Sequence, residues 1–396
     1  MGVKNMASKE PQKFLESVST RELERRWSAV REAMKEHDID FLIARNGTDI
    51  LGGYVKWLSN VGAKNDYPVT VLFPRDDDMV VIKHGPRGST NPGLPGIKKQ
   101  YGVPVLPSLQ YSITYDAQVV VEELAKHKNS HIGMVGMGFI PVAFYNHLTK
   151  QLASAKFSDA GDMVDGIKAI KSDEEIEHLR TLAEAQDKTV EYILSRVTPG
   201  IQIYEIYADL MHQCLLTGST TANLIVYSQP ANGPRQSGGP ARSKVIEKGD
   251  LVRILVESNG ASGYFTEISS FICFGKVPDA LQEQYNFAQD LQRKLLGLLK
   301  PGADSLTIWN TYNELLKKGG YAEEKRIGAH GMGLDMVERP CLQFDETMKI
   351  QAGMCIAAHS TPTSALAATG VVENYIIKKT GMPECLHHTP QRINVL

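Results

Sequence analysis

Apolar residues along the first 165 positions switch between two spacings. Over Arg21–His37 (RELERRWSAVREAMKEH) they fall at Leu23, Trp27, Val30 and Met34, one stripe of a helix. Thr20, just ahead, has the side chain of an N-cap. Strand-like runs follow at Phe41–Ala44, Val69–Phe73 and Met79–Ile82, the last entered through the charged turn Asp76-Asp77-Asp78. After a Gly/Pro-rich stretch, Gly85–Gly96, the pattern predicts a helix over Ala117–His127 and a strand at His131–Met134. Strands alternating with helices predict an α/β domain over residues 1–165.

The pattern changes near Gly166. IKAIKSDEEIEHLRTLAEAQDKTVEYILSRVTPG reads as one long helix, with Ser172 and Glu175 spaced as a capping box and Pro199-Gly200 as its stop. A second helix, Tyr204–Leu216, precedes the loop SQPANGPRQSGGPARSK. Two alternating strands, Leu251–Glu257 and Tyr264–Phe274, then flank SNGASG, a hairpin signal. Helices over Leu281–Leu299 and Leu306–Lys317 follow, then strands around Met354–Ala358 and Val371–Lys378. This order predicts an α+β domain over residues 166–396.

Composition narrows the function classes. A chain of 396 residues is long for a single core, so two domains are expected. The formal net charge is −2 and no Lys/Arg block is interleaved with aromatics, which argues against a nucleic-acid surface. No apolar run reaches the roughly 18–20 residues that span a bilayer. MGVKNMASKEPQ has no apolar signal-peptide core, and Met6 stands where a myristoylation pattern needs Ser or Thr. The five cysteines (Cys214, Cys273, Cys341, Cys355, Cys385) are odd in number and lack CxxC spacing, which removes disulfide-scaffold and zinc-finger readings. GMVGMG at Gly133–Gly138 lacks the GxGxxG order of a dinucleotide loop. A cytoplasmic protein acting on a small molecule is expected.

Five side chains in the last third could hold a metal or run acid–base chemistry: Glu257, Glu267, His330, His359 and Glu373. Leu255 and Glu257 share a strand face, and Glu267 comes within cross-strand reach if the SNGASG turn closes tightly. Glutamates among Ile, Leu, Val and Phe need partners if buried. They either face a cleft and bind something cationic or lie on a solvated rim. His330 sits in GAHGMG, where flanking glycines let backbone approach a ligand closely. Glu373 interrupts the apolar run VVENYII.

The order of IKSDEEIEHLR, the Lys248-Gly249-Asp250 strand start, GYFTEISSFICFG, Lys300-Pro301-Gly302, GAHGMGLD, QAGMCIAAH and GVVENYII resembles the pita-bread family of creatinase, aminopeptidase P, prolidase and methionine aminopeptidase. The resemblance covers most of the chain and implies an α/β N-terminal domain plus an α+β C-terminal pita-bread domain. Peptidases of the family place Asp, Asp, His, Glu and Glu around two metal ions. By the resemblance, Glu267 stands at the second Asp position, His330 at the His, Glu373 at the final Glu and His359 at the first Glu. Leu255 occupies the first Asp position, two residues before Glu257. A dinuclear peptidase site would therefore lack bridging carboxylates.

Lyases of this fold that act on dimethylsulfoniopropionate are similar in placing an acidic residue where Glu257 stands and in the GPR of Asn232-Gly233-Pro234-Arg235. Creatinase-like proteins carry a His in the loop before the hairpin, where this chain has about Gly238. They carry a second His near Val337, which Glu338 follows here. The expected activity is hydrolysis of a C–N bond in a small polar or cationic molecule by a creatinase-like non-peptidase. His330 is the expected general acid–base. Glu267 and Glu373 would hold one Zn, Mn or Fe ion, or position water without metal, and Glu338 is a further catalytic candidate. Glu257, His359, Tyr264 and Arg235 would contact substrate, with Tyr54 and Trp57 as aromatic candidates. The alternatives are a pita-bread lyase, a metal-dependent Xaa-Pro peptidase and a non-catalytic binding protein. The resemblance also implies a homodimer.

Overall fold

The computed structural model describes residues 16–48, 50–63, 65–234, 242–366 and 368–396. In the first half, seven strands form one sheet in the order Gly88–Thr90, Ile97–Val103, Met79–His84, Val69–Pro74, Phe41–Asn46, His131–Val135, Lys156–Asp159. Phe41–Asn46 and Val69–Pro74 are buried along their whole length. Period-2 alternation sends Leu42 and Ala44 into one core with Val30 and Met34, and Ile43 into another with Val120, Phe144 and Leu148. A sheet covered on both faces explains why its strands read as unbroken apolar runs. The strand next to the edge, Ile97–Val103, carries Lys98, Lys99 and Gln100 and left no such mark.

The first helix is Thr20–Glu36, and its cap is Ser19 rather than Thr20: the Ser19 hydroxyl accepts the Glu22 N–H at 3.2 Å. The expected long helix divides in two. Ile167 and Lys168 belong to Gly161–Lys168, a helix that also contains Gly166, and the longer helix is Asp173–Arg196. Its Ser172–Glu175 capping box forms as the spacing requires.

Two sheets make up the second half. One runs Ile393–Val395, Phe265–Cys273, Asp250–Asn259, Ala222–Pro230, and the other runs Glu338–Cys341, Ala329–Gly331, Cys355–Ser360, Val371–Ile376, Glu384–Cys385. The first sheet packs Leu224, Val252, Val256 and Ile268 against Val190 and Ile206 of helices Asp173–Arg196 and Ile203–Leu216. The second packs Ile356 and Tyr375 against Leu291 and Ile308 of helices Asp279–Leu298 and Ser305–Lys318. The sheets meet where the Glu267 N–H donates to Asn374 Oδ1 at 2.6 Å.

A buried ion cluster joins the halves. Arg26 Nε lies 2.7 Å from Glu22, and its Nη2 contacts Glu175 at 2.9 Å and the Tyr264 hydroxyl at 2.6 Å. One guanidinium thus ties the first helix, the capping box of the long helix and the hairpin. Replacing it by an apolar side chain leaves the buried Glu22 and Glu175 with only the more exposed Arg25 as a charged partner. Arg26→Met is expected to cost about 3–5 kcal/mol in urea unfolding; a change under about 1 kcal/mol would show that the cluster does not hold the halves together.

Candidate active site

The hairpin register sets the first part of the site. Asn223, Glu257 and Glu267 are direct partners on three neighbouring strands, so they form one row on one face. The next row on that face holds Ile225, Leu255 and Ser269. His330 comes from Ala329–Gly331, pairing with Ala357, and His359 lies two residues further along that partner strand. Gly331 permits this packing, because a Cβ there would come within 2.4 Å of the Arg339 carbonyl oxygen.

Glu267 is 1% exposed and shared by two imidazoles. His359 Nε2 lies 2.6 Å and His330 Nε2 3.2 Å from Glu267 Oε1, and the two rings meet edge to face at 4.9 Å. Burial alone would raise the Glu267 pKa, but His359 and His330 outweigh it and hold the carboxyl well below its usual range. Burial disfavours the His330 imidazolium, and Glu267 reverses that too, so the His330 pKa is raised. His330 Nδ1 donates to the Gly331 carbonyl at 2.9 Å, which leaves Nε2 turned toward Glu267.

That arrangement answers whether a metal fits. One carboxylate oxygen and two imidazole nitrogens lie within 4.8 Å of one another. An imidazole whose other ring nitrogen donates to a carbonyl has the orientation usual for a metal ligand. The donor set fits a single Zn-, Mn- or Fe-type ion. Without an ion, a proton on either imidazole compensates the carboxylate.

Glu257 differs from its neighbour. Burial and the Glu267 charge push its carboxyl up to about 7, only partly offset by the Asn223 amide, which donates at 2.7 Å. Below about pH 7 the two glutamates thus favour opposite protonation states, the arrangement expected of an acid–base pair.

Other expected site residues lie elsewhere. Register pairs His359 with Val372 and Glu373 with Ala358, so Glu373 points to the opposite face from His359. Its carboxyl takes the Tyr375 hydroxyl at 2.5 Å and the Gln391 amide at 2.9 Å, and burial raises its pKa. Glu338 is bound by Lys168 and by Lys171 (2.6 Å); burial opposes its charge, but the lysines hold it down to about 2. That value suits a structural anion, not a general acid. Tyr264 is locked on Arg26 and Glu175 instead of lining a cleft, and Trp57 is core. The Tyr54 hydroxyl donates to Asp165 at 2.8 Å. Arg235 and Gly238 lie outside the described residues. Asn223 went unnoticed because no strand was expected over Ala222–Pro230, although its apolar Leu224 and Val226 alternate.

A cavity of about 630 Å³ lies on the N-terminal domain between Phe41, Arg75 and Lys128 and includes none of the trio. No helix among the described residues is long and apolar enough to cross a membrane.

The fold and site can be set against known proteins. Residues 177–373 match the sequence profile of metallopeptidase family M24. A Xaa-Pro dipeptidase of Pyrococcus horikoshii is 26% identical over 263 residues, 63% of this chain and 74% of that protein. The uncharacterised peptidase YqhT of Bacillus subtilis is 27% identical over 267 residues, 64% of this chain and 71% of its own length. Among solved structures, the Xaa-Pro dipeptidase from Bacillus anthracis superimposes with a TM-score of 0.76 at 20% identity, covering 94% of this chain and 100% of that one. The X-Pro aminopeptidase from Thermotoga maritima gives 0.77 at 18%, covering 93% and 99%. Residues 177–373 belong to metallopeptidase family M24, and the chain has the pita-bread fold of the dipeptidase and aminopeptidase structures, with its N-terminal and C-terminal domains.

The Glu257 environment predicts a pH signature. A folded-state pKa raised from 4.5 to about 7 means that stability from the protonated carboxyl is lost as pH rises across that window. Glu257→Gln, which cannot ionise, should therefore gain melting temperature relative to wild type between pH 4.5 and about 7. A constant difference across that range would place the Glu257 pKa near its ordinary value.

Proposed function

We propose that the chain is a hydrolase of a C–N bond in a small polar or cationic molecule, working through Glu267, His330 and His359 with one divalent ion or none. The observation that carries this is the convergence of two imidazoles on the buried Glu267, with apolar Leu255 on the next row of the same face. A two-ion centre needs carboxylates that bridge ions about 3.5–4 Å apart. Here Leu255 offers no ligand atom and Glu373 faces away, so the ligands that converge suffice for one ion. Without an ion, His330 Nε2 takes the proton of the water whose oxygen bonds the carbonyl carbon, and protonated Glu257 gives its proton to the nitrogen as the C–N bond breaks. If bound, an ion would polarise the scissile carbonyl and acidify water.

A second reading has its own support. The Pyrococcus and Bacillus anthracis proteins are named Xaa-Pro dipeptidases, and these names favour a metal-dependent Xaa-Pro peptidase over a creatinase-like enzyme. Both readings break a C–N bond; they differ in substrate and metal demand. A homodimer follows from family resemblance.

The test is a substrate panel of Xaa-Pro dipeptides and small cationic amides, with protein as purified, supplied with Mn²⁺, and chelated, in ¹⁸O-labelled water. The proposal expects labelled product from a non-prolyl amide, with kcat reduced by about 10²–10⁴-fold in His330→Ala and Glu267→Gln. Turnover confined to Xaa-Pro peptides and dependent on added metal would replace it with the second reading. An unlabelled alkene product would make the protein a lyase, and no turnover in any condition would favour a binding protein.

A further inference from the structure

Residues 384–396 edge both C-terminal sheets: Glu384–Cys385 pairs with Tyr375 and Ile376, and Ile393–Val395 runs parallel to Phe271–Cys273. Between these strands lies His387, whose side chain is fully buried. Its Nε2 faces Asn374 Oδ1 at 3.4 Å, and its Nδ1 lies 3.6 Å from Asp187 Oδ1. Asp187, on the long helix, also accepts the His388 N–H at 2.8 Å, the Thr389 N–H at 3.1 Å and the Thr389 hydroxyl at 2.5 Å. Asn374 Oδ1 is the same oxygen that accepts the Glu267 N–H at 2.6 Å. An amide oxygen only accepts, so the His387 Nε2 facing it must carry the hydrogen.

We propose that His387 is a positioning residue for Glu267: placed by the bonds of Asp187 to His388 and Thr389, it holds the Asn374 amide in the rotamer that accepts the Glu267 N–H and so fixes the strand carrying the carboxylate. The proposal rests on the reading of Glu267, His330 and His359 as the active centre. Other groups around His387 do not substitute for it. Glu373, on the same strand as Asn374, is taken by Tyr375 and Gln391, and the Cys385 thiol points to the His387 carbonyl. Without the Nε2–H, the Asn374 side chain is held beyond the Glu267 N–H only by the weak contact of its Nδ2 with Met332 Sδ at 3.2 Å, and a turn of the amide would leave the Glu267 N–H unpaired in the interior, at a cost. A carboxylate displaced by about 1 Å would lose its alignment with both imidazoles and about 10²-fold in rate.

The test uses full-length protein with ¹⁵N-labelled histidine and backbone amides, as wild type, His387→Phe and His387→Gln. The wild type is expected to show a protonated His387 Nε2. In His387→Phe the Glu267 amide and the His330 and His359 ring signals should move, and in His387→Gln, whose side-chain amide can replace the Nε2–H, they should return toward wild type. Should His387→Phe not fold, Asp187→Asn must move the same signals to a smaller extent. A bare Nε2, or unchanged Glu267, His330 and His359 signals in the folded variants, would overturn the proposal. On whichever amide the substrate panel identifies, kcat should fall about 10–100-fold in His387→Phe with KM nearly constant. Moved signals with unchanged turnover would uphold the brace and refute the reading of the trio as the active centre.

Discussion

A carboxylate removed from water must be compensated, and in this protein Glu267 is compensated by two imidazoles brought from a different sheet. The hairpin fixes Glu267 opposite Glu257, and the neighbouring sheet carries His330 and His359 on adjacent strands. Gly331 lets the His330 strand approach the Arg339 backbone closely. The two glutamates also differ chemically: burial, reinforced by the Glu267 charge, pushes the Glu257 carboxyl up to about 7, while the imidazoles keep Glu267 ionised. The acid–base asymmetry of the site thus depends on burial of both carboxyls and on which of them the imidazoles reach.

Two further ion clusters hold the frame around that centre. Arg26 links the first helix to the long helix and the hairpin. Lys168 binds Asp335 at 2.6 Å and also Glu338, while Lys171 binds Glu338. Asp335 in turn accepts the Gly53 N–H at 2.5 Å, so the segment following His330 is tied to the N-terminal domain. Buried pairs of this kind add little over apolar packing but are costly to break singly. Their contribution here is to hold the parts in register.

Local rules made much of this legible. The Ser172–Glu175 capping box, the hairpin around SNGASG and the helix over residues 281–299 follow from spacing alone, and the ordered motifs point to the family. The Glu257–Glu267 pair was within reach because strand alternation and a tight turn determine it. Glu373 was not: whether it shares a face with His359 depends on a cross-strand register that no local pattern encodes. Glu338 resembled a site acid because it follows the histidine loop closely, yet its lysine partners come from 167 and 170 residues away. Tyr264 was captured by an arginine 238 residues away. The unmarked C-terminal tail carries His387 and Gln391, whose roles depend wholly on tertiary contacts.

The proposed function turns on whether Glu267, His330 and His359 hold one ion and not two. The most direct measurement is titration of metal-stripped protein with Mn²⁺ and with Zn²⁺ by calorimetry, with the bound metal counted by elemental analysis after dialysis. The account predicts no more than one ion per chain, with any such binding abolished in His359→Ala. Two tightly held ions per chain would contradict it and restore a dinuclear centre.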